Sequence, residues 1–503
     1  MGHRKILILF TDQWRWDAIS GLGGTIAKTP NVDRLLARGT VFRNHYTVCV
    51  PCGPSRASFL TGLYAMTHRS VTNGTPLDDR FDNLALSVRR QGIEPLLVGY
   101  TTTTPDPRST TANDPRFQVA GDVLPGFKPL APYHAGQDTY RAELKAKGYD
   151  VSDMDRLWCP EPQPLPPGRG LSWPPSRLST EDADNAFYTD QALKHLAVRE
   201  DRDWLMFLTF MRPHPPFVAP APWHDMFDPA DMPAPRRAAS LAEEANQHPY
   251  VAHLLETTDV QGFIPQGTGR IADLSDLDVA QTMATYFGMI AELDFQIGRV
   301  LDHLEATGEV DETLVIFTSD HGELLGDHYM FGKAGPFEGS YRIPLILAEP
   351  GGTARTIEAY TESVDLMPTI LDWIGAPIPR ACDGRSLLPW MRGETPARWR
   401  DGVMLEFDLR SIKSGTPLGL VPDDGGAAIW RDEATAFVHY AGLPPMSYDL
   451  RKDPHELKNL GKTPERAAAQ LLTRRIGHAE RTLTGYQAGP GGLASLAVSD
   501  HMV

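Results

Sequence analysis

The segment Cys52–Gly62, with the sequence CGPSRASFLTG, places a thiol at a predicted helix start, four residues before an arginine. A helix N-terminus offers free backbone N–H groups and a positive dipole end, so it can bind an anion. Pro54 and Ser55 suit the first positions of a helix, and Arg56 adds a forked cation. The segment therefore predicts an anion site with a built-in nucleophile, although an isolated free cysteine is more often a small buried filler.

Two acidic strand ends predict a site for a divalent metal. Lys5–Thr11 and Thr313–Thr318 are β-branched and leucine-rich runs, typical of buried parallel strands. Asp12 follows the first run, and Asp320 and His321 follow the second. Parallel sheets bind ligands outside the carboxyl ends of their strands, so these side chains should share one crevice. Mixed oxygen and imidazole ligands suit Mn²⁺, Ca²⁺, Mg²⁺ or Zn²⁺, whereas each residue taken singly could be a helix cap or a turn residue.

Other polar residues follow predicted strands or the predicted helix and are candidates to contact a bound anion. They are Asn73, Tyr100, Thr102, His214 and Lys333. A lysine and a histidine near a metal-bound anion can stabilise its charge and protonate a leaving group. Taken alone, a lysine in a loop is normally just solvated.

The elements around these residues alternate between strands and helices. Trp204–Phe210 predicts a further parallel strand, Ile343–Leu347 predicts another more weakly, and Tyr286 to Leu304 shows helical periodicity. This order predicts an α/β fold with a large, mostly parallel sheet sandwiched by helices. The proline-rich residues 101–180 and the irregular residues 217–275 predict long loops that cover or wall a site.

The character of the chain changes after residue 376. Short strands are predicted at Val403–Phe407, Ala427–Trp430, Ala436–Tyr440 and Met446–Leu450, and a helix is predicted at Glu465–Ile476. We therefore predict a catalytic domain over residues 1–376. A smaller C-terminal domain with an antiparallel sheet and an extended arm is predicted over residues 377–503.

Composition excludes several classes of function. The chain has 503 residues and a net charge of −16, which argues against a general nucleic-acid binder. The early apolar run Ile6–Phe10 is too short for a signal peptide or a membrane span, so a cytoplasmic protein without membrane partners is expected. The four cysteines do not make a disulfide framework. Cys49 and Cys52 have the spacing of half a zinc site or a redox pair, but a second such pair is missing.

The motifs resemble the sulfatases of the alkaline phosphatase superfamily over nearly the whole chain. Cys52-Gly53-Pro54-Ser55-Arg56, followed by Leu60-Thr61-Gly62, is similar to the activation motif of that family. Further sulfatase-like motifs follow in the expected order at Thr318–Glu323, Val364–Thr369, Asp383–Pro389 and Tyr448–Glu456. Resemblance to the phosphonate monoester hydrolase/phosphodiesterase branch is carried by Asn44–Pro54, Gly99–Arg108, Arg212–Phe217 and His478–Thr484.

One departure from the usual sulfatase pattern concerns the acidic pairs. Typical members begin the site with paired aspartates and end it with Asp-Asn, whereas this chain has Asp12-Gln13 and Asp320-His321. Two carboxylates instead of three leave a metal less neutralised. The departure is itself similar to the phosphonate-hydrolase branch. Some relatives in that branch are arylsulfatases, so a sulfate substrate stays open.

The resemblance implies that a formylglycine-generating enzyme converts Cys52 to formylglycine. One divalent metal, Mn first with Ca or Zn as alternatives, would be bound by Asp12, Asp320, His321 and the group at position 52. One hydroxyl of the hydrated aldehyde would attack phosphorus or sulfur, and the second would let the anion leave. Arg56 would hold that group in place. Substrate oxygens and the leaving group would be served by Asn73, Tyr100, Thr102, His214 and Lys333.

The implied reaction is the hydrolysis of small phosphonate monoesters and phosphodiesters, with activity toward sulfate esters. The implied assembly is a homotetramer that exchanges the C-terminal arm between subunits. An arylsulfatase with the same site is the main alternative. A metal-dependent phosphomutase and a catalytically inactive anion-binding relative are two others.

Overall fold

The computed structural model describes residues 4–23, 26–111, 123–132, 137–199, 202–409, 417–484, 486–489 and 492–495. The strands are β1 (Lys5–Asp12), β2 (Thr40–Tyr46), β3 (Glu94–Gly99), β4 (Lys128–Pro132), β5 (Trp204–Pro213), β6 (Thr313–Ser319), β7 (Leu345–Ala348), β8 (Arg355–Glu362), β9 (Gly402–Asp408), β10 (Gly426–Asp432), β11 (Thr435–Tyr440), β12 (Met446–Asp449), β13 (Tyr486–Gly489) and β14 (Gly492–Ser495). The helices are α1 (Pro30–Leu36), α2 (Cys52–Thr61), α3 (Ala65–His68), α4 (Leu84–Arg89), α5 (Gln137–Ala146), α6 (Met154–Trp158), α7 (Asp184–Val198), α8 (Leu241–Ala245), α9 (Pro249–Thr257), α10 (Asp276–Ala306), α11 (Glu338–Tyr341), α12 (Leu366–Trp373), α13 (Leu388–Met391) and α14 (Glu465–Thr484).

The main sheet has eight strands in the order β4-β3-β5-β1-β6-β7-β2-β8. Its central strand β1 pairs in parallel with β5 on one side and with β6 on the other. The pairs β3–β5, β3–β4 and β2–β8 are parallel as well. The predicted α/β fold with a mostly parallel sheet is confirmed.

Strand β7 is the exception, and its predicted direction is wrong. It runs antiparallel to both of its neighbours, β6 and β2. A parallel strand after β6 would need a crossover that carries the chain back to the opposite edge of the sheet. The connection between them carries only short helical pieces, the 3-10 helix Asp327–Tyr329 and the four-residue helix α11, and the chain turns back from the edge at which β6 ends.

Side-chain alternation along β1 divides the core into two layers. Leu7 and Leu9 point to a cluster that includes helices α1, α7 and α10. Ile6, Ile8 and Phe10 point to the opposite cluster, which includes α2, α4 and α12. Because parallel strands are buried on both faces, the run reads as continuously apolar in sequence.

The C-terminal region forms a separate four-stranded antiparallel sheet in the order β12-β11-β10-β9. One face packs against helix α14, with Ala467 and Leu471 beside Trp430 and Phe437. The small antiparallel sheet and its final helix are confirmed, whereas the domain boundary after residue 376 stays a prediction. Most of the predicted C-terminal arm, residues 485, 490–491 and 496–503, lies outside the described residues.

The predicted loop over residues 217–275 contains two helices, α8 and α9. Tyr250, Val251 and Leu254 of α9 are buried against the small sheet, so tertiary packing rather than periodicity of a long segment orders this helix. Within the described ranges, no helix is long and apolar enough to cross a membrane.

The two-sided burial of β1 makes a direct prediction about stability. Leu9 is fully buried, so Leu9→Ala leaves a cavity that costs about 2–5 kcal/mol and lowers the melting temperature. Val198→Ala is the control because Val198 is 82% exposed. Thermal unfolding followed by circular dichroism should separate the two variants, and equal melting temperatures would contradict this account of the core.

Candidate active site

Four neighbouring strands deliver polar residues to one edge of the main sheet. The order β3-β5-β1-β6 brings together the carboxyl ends that precede Tyr100, His214, Asp12 and Asp320. The pairing register aligns these strand ends, because Thr11 lies opposite Ser319 and Asp12 lies opposite Pro213. The strand ends that were expected to share one crevice therefore lie side by side at the carboxyl edge of the sheet.

Helix α2 brings Cys52 to the same edge. All ten of its residues are buried, and its C-terminal end is closed by Gly62 in the left-handed region at φ 68°. The Ser55 hydroxyl lies 2.8 Å from the Thr47 hydroxyl and donates to the Asp320 carbonyl. These bonds fix the first turn of the helix beside the end of β6.

Asp12, Cys52, Asp320 and His321 form a buried cluster whose ligand atoms all lie within 4.8 Å of one another. The Cys52 Sγ atom is 3.2 Å from His321 Nε2 and 3.9 Å from Asp12 Oδ1. His321 Nε2 also lies 3.5 Å from Asp320 Oδ1. The four residues expected as metal ligands are thus brought together.

The ring of His321 is oriented by the backbone. Its Nδ1 atom donates to the Gly322 carbonyl at 3.0 Å, which leaves Nε2 as the acceptor that faces the cluster. Burial, assisted by the positive charge of Lys333, lowers the pKa of His321 well below its ordinary value. A neutral imidazole with a lone pair at Nε2 is the form that binds a metal.

Arg56 lies behind the two carboxylates and spends all five of its N–H groups on protein oxygens. Nε donates to Asp320 Oδ2 at 3.0 Å, and Nη2 donates to Asp12 Oδ2 at 2.9 Å. The other three bonds go to the Tyr100 carbonyl, the Tyr100 hydroxyl and the Thr209 hydroxyl. The arginine therefore binds the outer carboxylate oxygens and leaves the inner oxygens, Oδ1 of Asp12 and of Asp320, toward the cluster.

The donor set fits a divalent cation. Burial and the charge of Asp12 raise the pKa of Asp320 above its ordinary value, although both carboxyl groups bind the Arg56 guanidinium. Burial alone would raise the pKa of Asp12 too, but its electrostatic contacts with His214, Arg56, His321 and Lys333 lower it instead. A cation on the inner oxygens would complete the charge balance, and two carboxylates with one imidazole suit Mn²⁺, Ca²⁺ or Zn²⁺.

The thiol of Cys52 is a poor nucleophile in this setting. Burial and the neighbouring Asp12 raise its pKa to about 12, so the thiolate is scarce near neutral pH. Since the thiolate is the reactive form of cysteine, the sulfur is a weak nucleophile as long as no cation lies beside it.

Asn73 and Thr102 flank the N-terminus of α2. Asn73 Oδ1 accepts from the Gly53 backbone N–H at 2.8 Å, which leaves its amide nitrogen able to donate. A Cβ atom at Gly53 would lie 3.0 Å from Asn73 Oδ1 and 3.4 Å from the Thr102 carbonyl, so glycine permits the close approach. Thr102 has φ 55°, and its buried hydroxyl makes no hydrogen bond within the described part of the chain. Residues in such sparsely populated backbone conformations cluster at functional sites.

His214 and Lys333 lie within electrostatic reach of Asp12. The Nδ1 atom of His214 donates to the Pro215 carbonyl at 2.7 Å, so its Nε2 atom is unprotonated when the ring is neutral. Burial and Lys333 lower the pKa of His214 to about 4. Burial would lower the pKa of Lys333, but Cys52, Asp12 and other acidic groups raise it instead, so this side chain is an ammonium.

Some polar contacts were not expected from the sequence. The Tyr100 hydroxyl donates to Asp12 Oδ2 at 2.7 Å, so it contacts a candidate ligand where a substrate contact was expected. Gln13 accepts from Lys333 Nζ at 2.7 Å, and Thr209 accepts from Arg56. In the sequence, Gln13 could have been noticed as a polar residue directly after Asp12, and Thr209 as a hydroxyl within an apolar strand.

Comparisons with known proteins agree with this geometry. A protein-family model described as Sulfatase matches residues 4–376. The multifunctional alkaline phosphatase superfamily protein PehA of Trinickia caryophylli is 43% identical over 98% of this chain and 99% of its own length.

Two solved structures match over the full length as well. The phosphonate monoester hydrolase of Agrobacterium radiobacter has a TM-score of 0.91 at 39% identity, covering 98% of this chain and 99% of its own. The phosphonate monoester hydrolase of Silicibacter pomeroyi has a TM-score of 0.90 at 37% identity, covering 99% of this chain and 100% of its own. By these matches and by its site, the chain belongs to the sulfatase family of the alkaline phosphatase superfamily.

Proposed function

We propose that this protein hydrolyses phosphonate monoesters and phosphodiesters, with overlapping activity toward sulfate esters. The observation that carries the proposal is the buried cluster of Cys52 with Asp12, Asp320 and His321 at the N-terminus of α2. The names of the similar hydrolases favour phosphorus esters. Arylsulfatase activity at the same site is the second candidate, because the matching family is named for sulfate esters.

Asp12, Asp320, His321 and the group at position 52 would hold one divalent cation, for which Mn²⁺ is the first candidate and Ca²⁺ or Zn²⁺ are alternatives. A formylglycine-generating enzyme would act on Cys52 as a transient partner. Together, the cation and the formylglycine would supply an oxygen nucleophile and stabilise negative charge. The match to the sulfatase family supports a modified group at this position.

The remaining side chains would bind and orient an anionic ester. The amide of Asn73, the unpartnered hydroxyl of Thr102 and the ammonium of Lys333 surround the start of α2 and can donate to non-bridging oxygens. These fixed donors would stabilise the charge that builds up in the transition state. Arg56 and Tyr100 would act one layer behind by holding the carboxylates.

His214 would transfer a proton at its Nε2 atom. Its Nδ1–H is held by the Pro215 carbonyl, and its pKa of about 4 keeps the ring neutral near pH 7. The Nε2 lone pair of the neutral ring can accept a proton, and the low pKa makes the protonated ring a strong proton donor. Once it has accepted a proton, the same atom can donate it to a leaving oxygen.

The charge of the site does not distinguish the candidate substrates. A phosphonate monoester, a phosphodiester and a sulfate monoester each carry one negative charge near neutral pH. Since the donors at the site meet the same charge in all three, overlapping activities are expected.

Matched aryl phosphonate, aryl phosphodiester and aryl sulfate esters test the proposed substrate class. We expect kcat/KM for the phosphonate to exceed that for the sulfate by about tenfold or more. A large preference for the sulfate ester would reject this assignment in favour of the arylsulfatase.

Cys52→Ala should abolish turnover of all three esters while leaving the circular dichroism spectrum unchanged. Mass spectrometry of the peptide that carries residue 52 reports the modification directly. An unmodified thiol in fully active enzyme would contradict the proposed nucleophile.

Removal of one carboxylate tests the metal site. Asp320→Asn takes away an inner oxygen charge, so the affinity for the divalent ion should fall by at least about tenfold. Elemental analysis after gel filtration measures the bound ion, with Asp302→Asn as an exposed matched control. Equal metal contents in the two variants would exclude Asp320 as a ligand.

A homotetramer is also proposed, and helix α14 offers one surface through which two of its subunits would pair. Ala469, Leu472, Ile476 and Ala479 are exposed and follow the 3-4-3 spacing of a helix–helix seam. The exposed fractions of Leu472 and Ile476 are 60% and 47%. Pairing of this seam between subunits would remove an apolar stripe from water.

Leu472→Glu should lower the molar mass measured by light scattering because it places a charge within the seam. Thr473→Glu adds the same charge at the next exposed position, outside the seam, and should leave the mass unchanged. A monomeric unsubstituted protein would rule out the tetramer.

A further inference from the structure

Glu323 is a buried carboxylate that lies outside the metal cluster and has no role in the proposed chemistry above. Its Oε1 atom accepts from the backbone N–H groups of Leu325 at 2.8 Å and Gly332 at 2.6 Å. Its Oε2 atom accepts from the side-chain nitrogen of Gln13. The carboxylate thus joins the loop after β6 to the residue that follows β1.

The Gln13 side chain also forms a hydrogen bond with Lys333. Its Oε1 atom accepts from Lys333 Nζ at 2.7 Å, while its Nε2 atom donates to Glu323. The direction of these two hydrogen bonds is fixed at both ends, because an ammonium group only donates and a carboxylate only accepts. The Gln13 amide therefore has one orientation that satisfies both neighbours.

The backbone of Gln13 is fixed as firmly as its side chain. It adopts φ 72°, a left-handed conformation that is uncommon for a residue with a side chain. Its carbonyl accepts from Tyr286 Oη at 2.8 Å, and its N–H donates to Asp320 Oδ1 at 3.1 Å. Two backbone bonds thus hold the strained residue so that its amide bridges Glu323 and Lys333.

We propose that Glu323 is a positioning residue that sets the direction of the Lys333 ammonium through the Gln13 amide. The inference rests on the proposed function, in which Lys333 donates to the anionic ester. Lys333 gains one fixed acceptor on the side of Gln13, so its other N–H groups are directed away from it. Glu323 would thereby act on substrate binding without contacting substrate or metal.

Glu323→Gln separates this role from simple anchoring of the loop. The amide oxygen of the new side chain can still accept from Leu325 and Gly332, so the loop bonds survive. Its amide nitrogen then faces Gln13, where two donors would meet. Gln13 must turn its oxygen toward position 323, which leaves its NH₂ group against the Lys333 ammonium and breaks that contact.

The reciprocal exchange should restore the chain of bonds. In Gln13→Glu/Glu323→Gln, the amide at position 323 donates to the carboxylate at position 13, which accepts from Lys333 with its other oxygen. The number of charges is unchanged. Gln13→Glu alone should not keep these hydrogen bonds, because it places a carboxylate at position 13 against the carboxylate of Glu323.

The experiment compares the metal-loaded, unsubstituted enzyme with Lys333→Ala, the two single variants and the double exchange. Steady-state kinetics on an aryl phosphonate gives kcat and KM, and calorimetry gives the affinity for phenylphosphonate as a probe anion. Melting temperature and metal content report whether the fold and the metal cluster survive.

We expect each single variant to lose about tenfold or more in kcat/KM and to bind phenylphosphonate more weakly. The double exchange should recover most of both, at unchanged metal content. If Glu323→Gln has normal activity while Lys333→Ala is impaired, the inference about Glu323 is overturned and the proposed role of Lys333 stands. A double exchange no better than the single variants would overturn it too, even if one single variant folds poorly. An unimpaired Lys333→Ala would overturn it together with the proposed role of Lys333.

Discussion

The site depends on one buried guanidinium that holds two carboxylates from neighbouring strands. Taking carboxylates out of water is costly unless each is paired and hydrogen-bonded. Arg56 meets this requirement for Asp12 and Asp320 together, from a helix whose ten residues are all buried. The ring of Tyr100 stacks on the guanidinium at 4.0 Å and its hydroxyl binds Asp12, so the pairing is enclosed on several sides.

The two carboxylates therefore face a positive charge on one side and the candidate metal ligands on the other. Behind the carboxylates, the five donors of Arg56 are all used by protein oxygens. In front, the inner oxygens face Cys52 and the unprotonated Nε2 atom of His321. The half-buried Lys333 adds positive charge from the loop after β6 and is held by Gln13. A cation on the inner oxygens and an anion near Lys333 are therefore compatible neighbours.

Much of the fold could be predicted because buried parallel strands and their ends have plain local signals. The apolar runs before Asp12 and Asp320 gave the central strands to within a residue or two, and the helix at Cys52 begins where its proline and serine suggested. The direction of β7 could not be predicted, because a short apolar run looks the same in either direction. The order of helix α9 also depended on partners distant in sequence.

The sequence by itself determined the residue types at the strand ends and the thiol at the helix start, since each is a local pattern. Only the tertiary structure decided which atoms meet. It turned Arg56 and Tyr100 toward the outer carboxylate oxygens, and it set Gln13 in a left-handed conformation between Glu323 and Lys333. The reason is that hydrogen-bond direction in a buried site is fixed by all neighbours at once, and those neighbours come from strands and loops far apart in the chain.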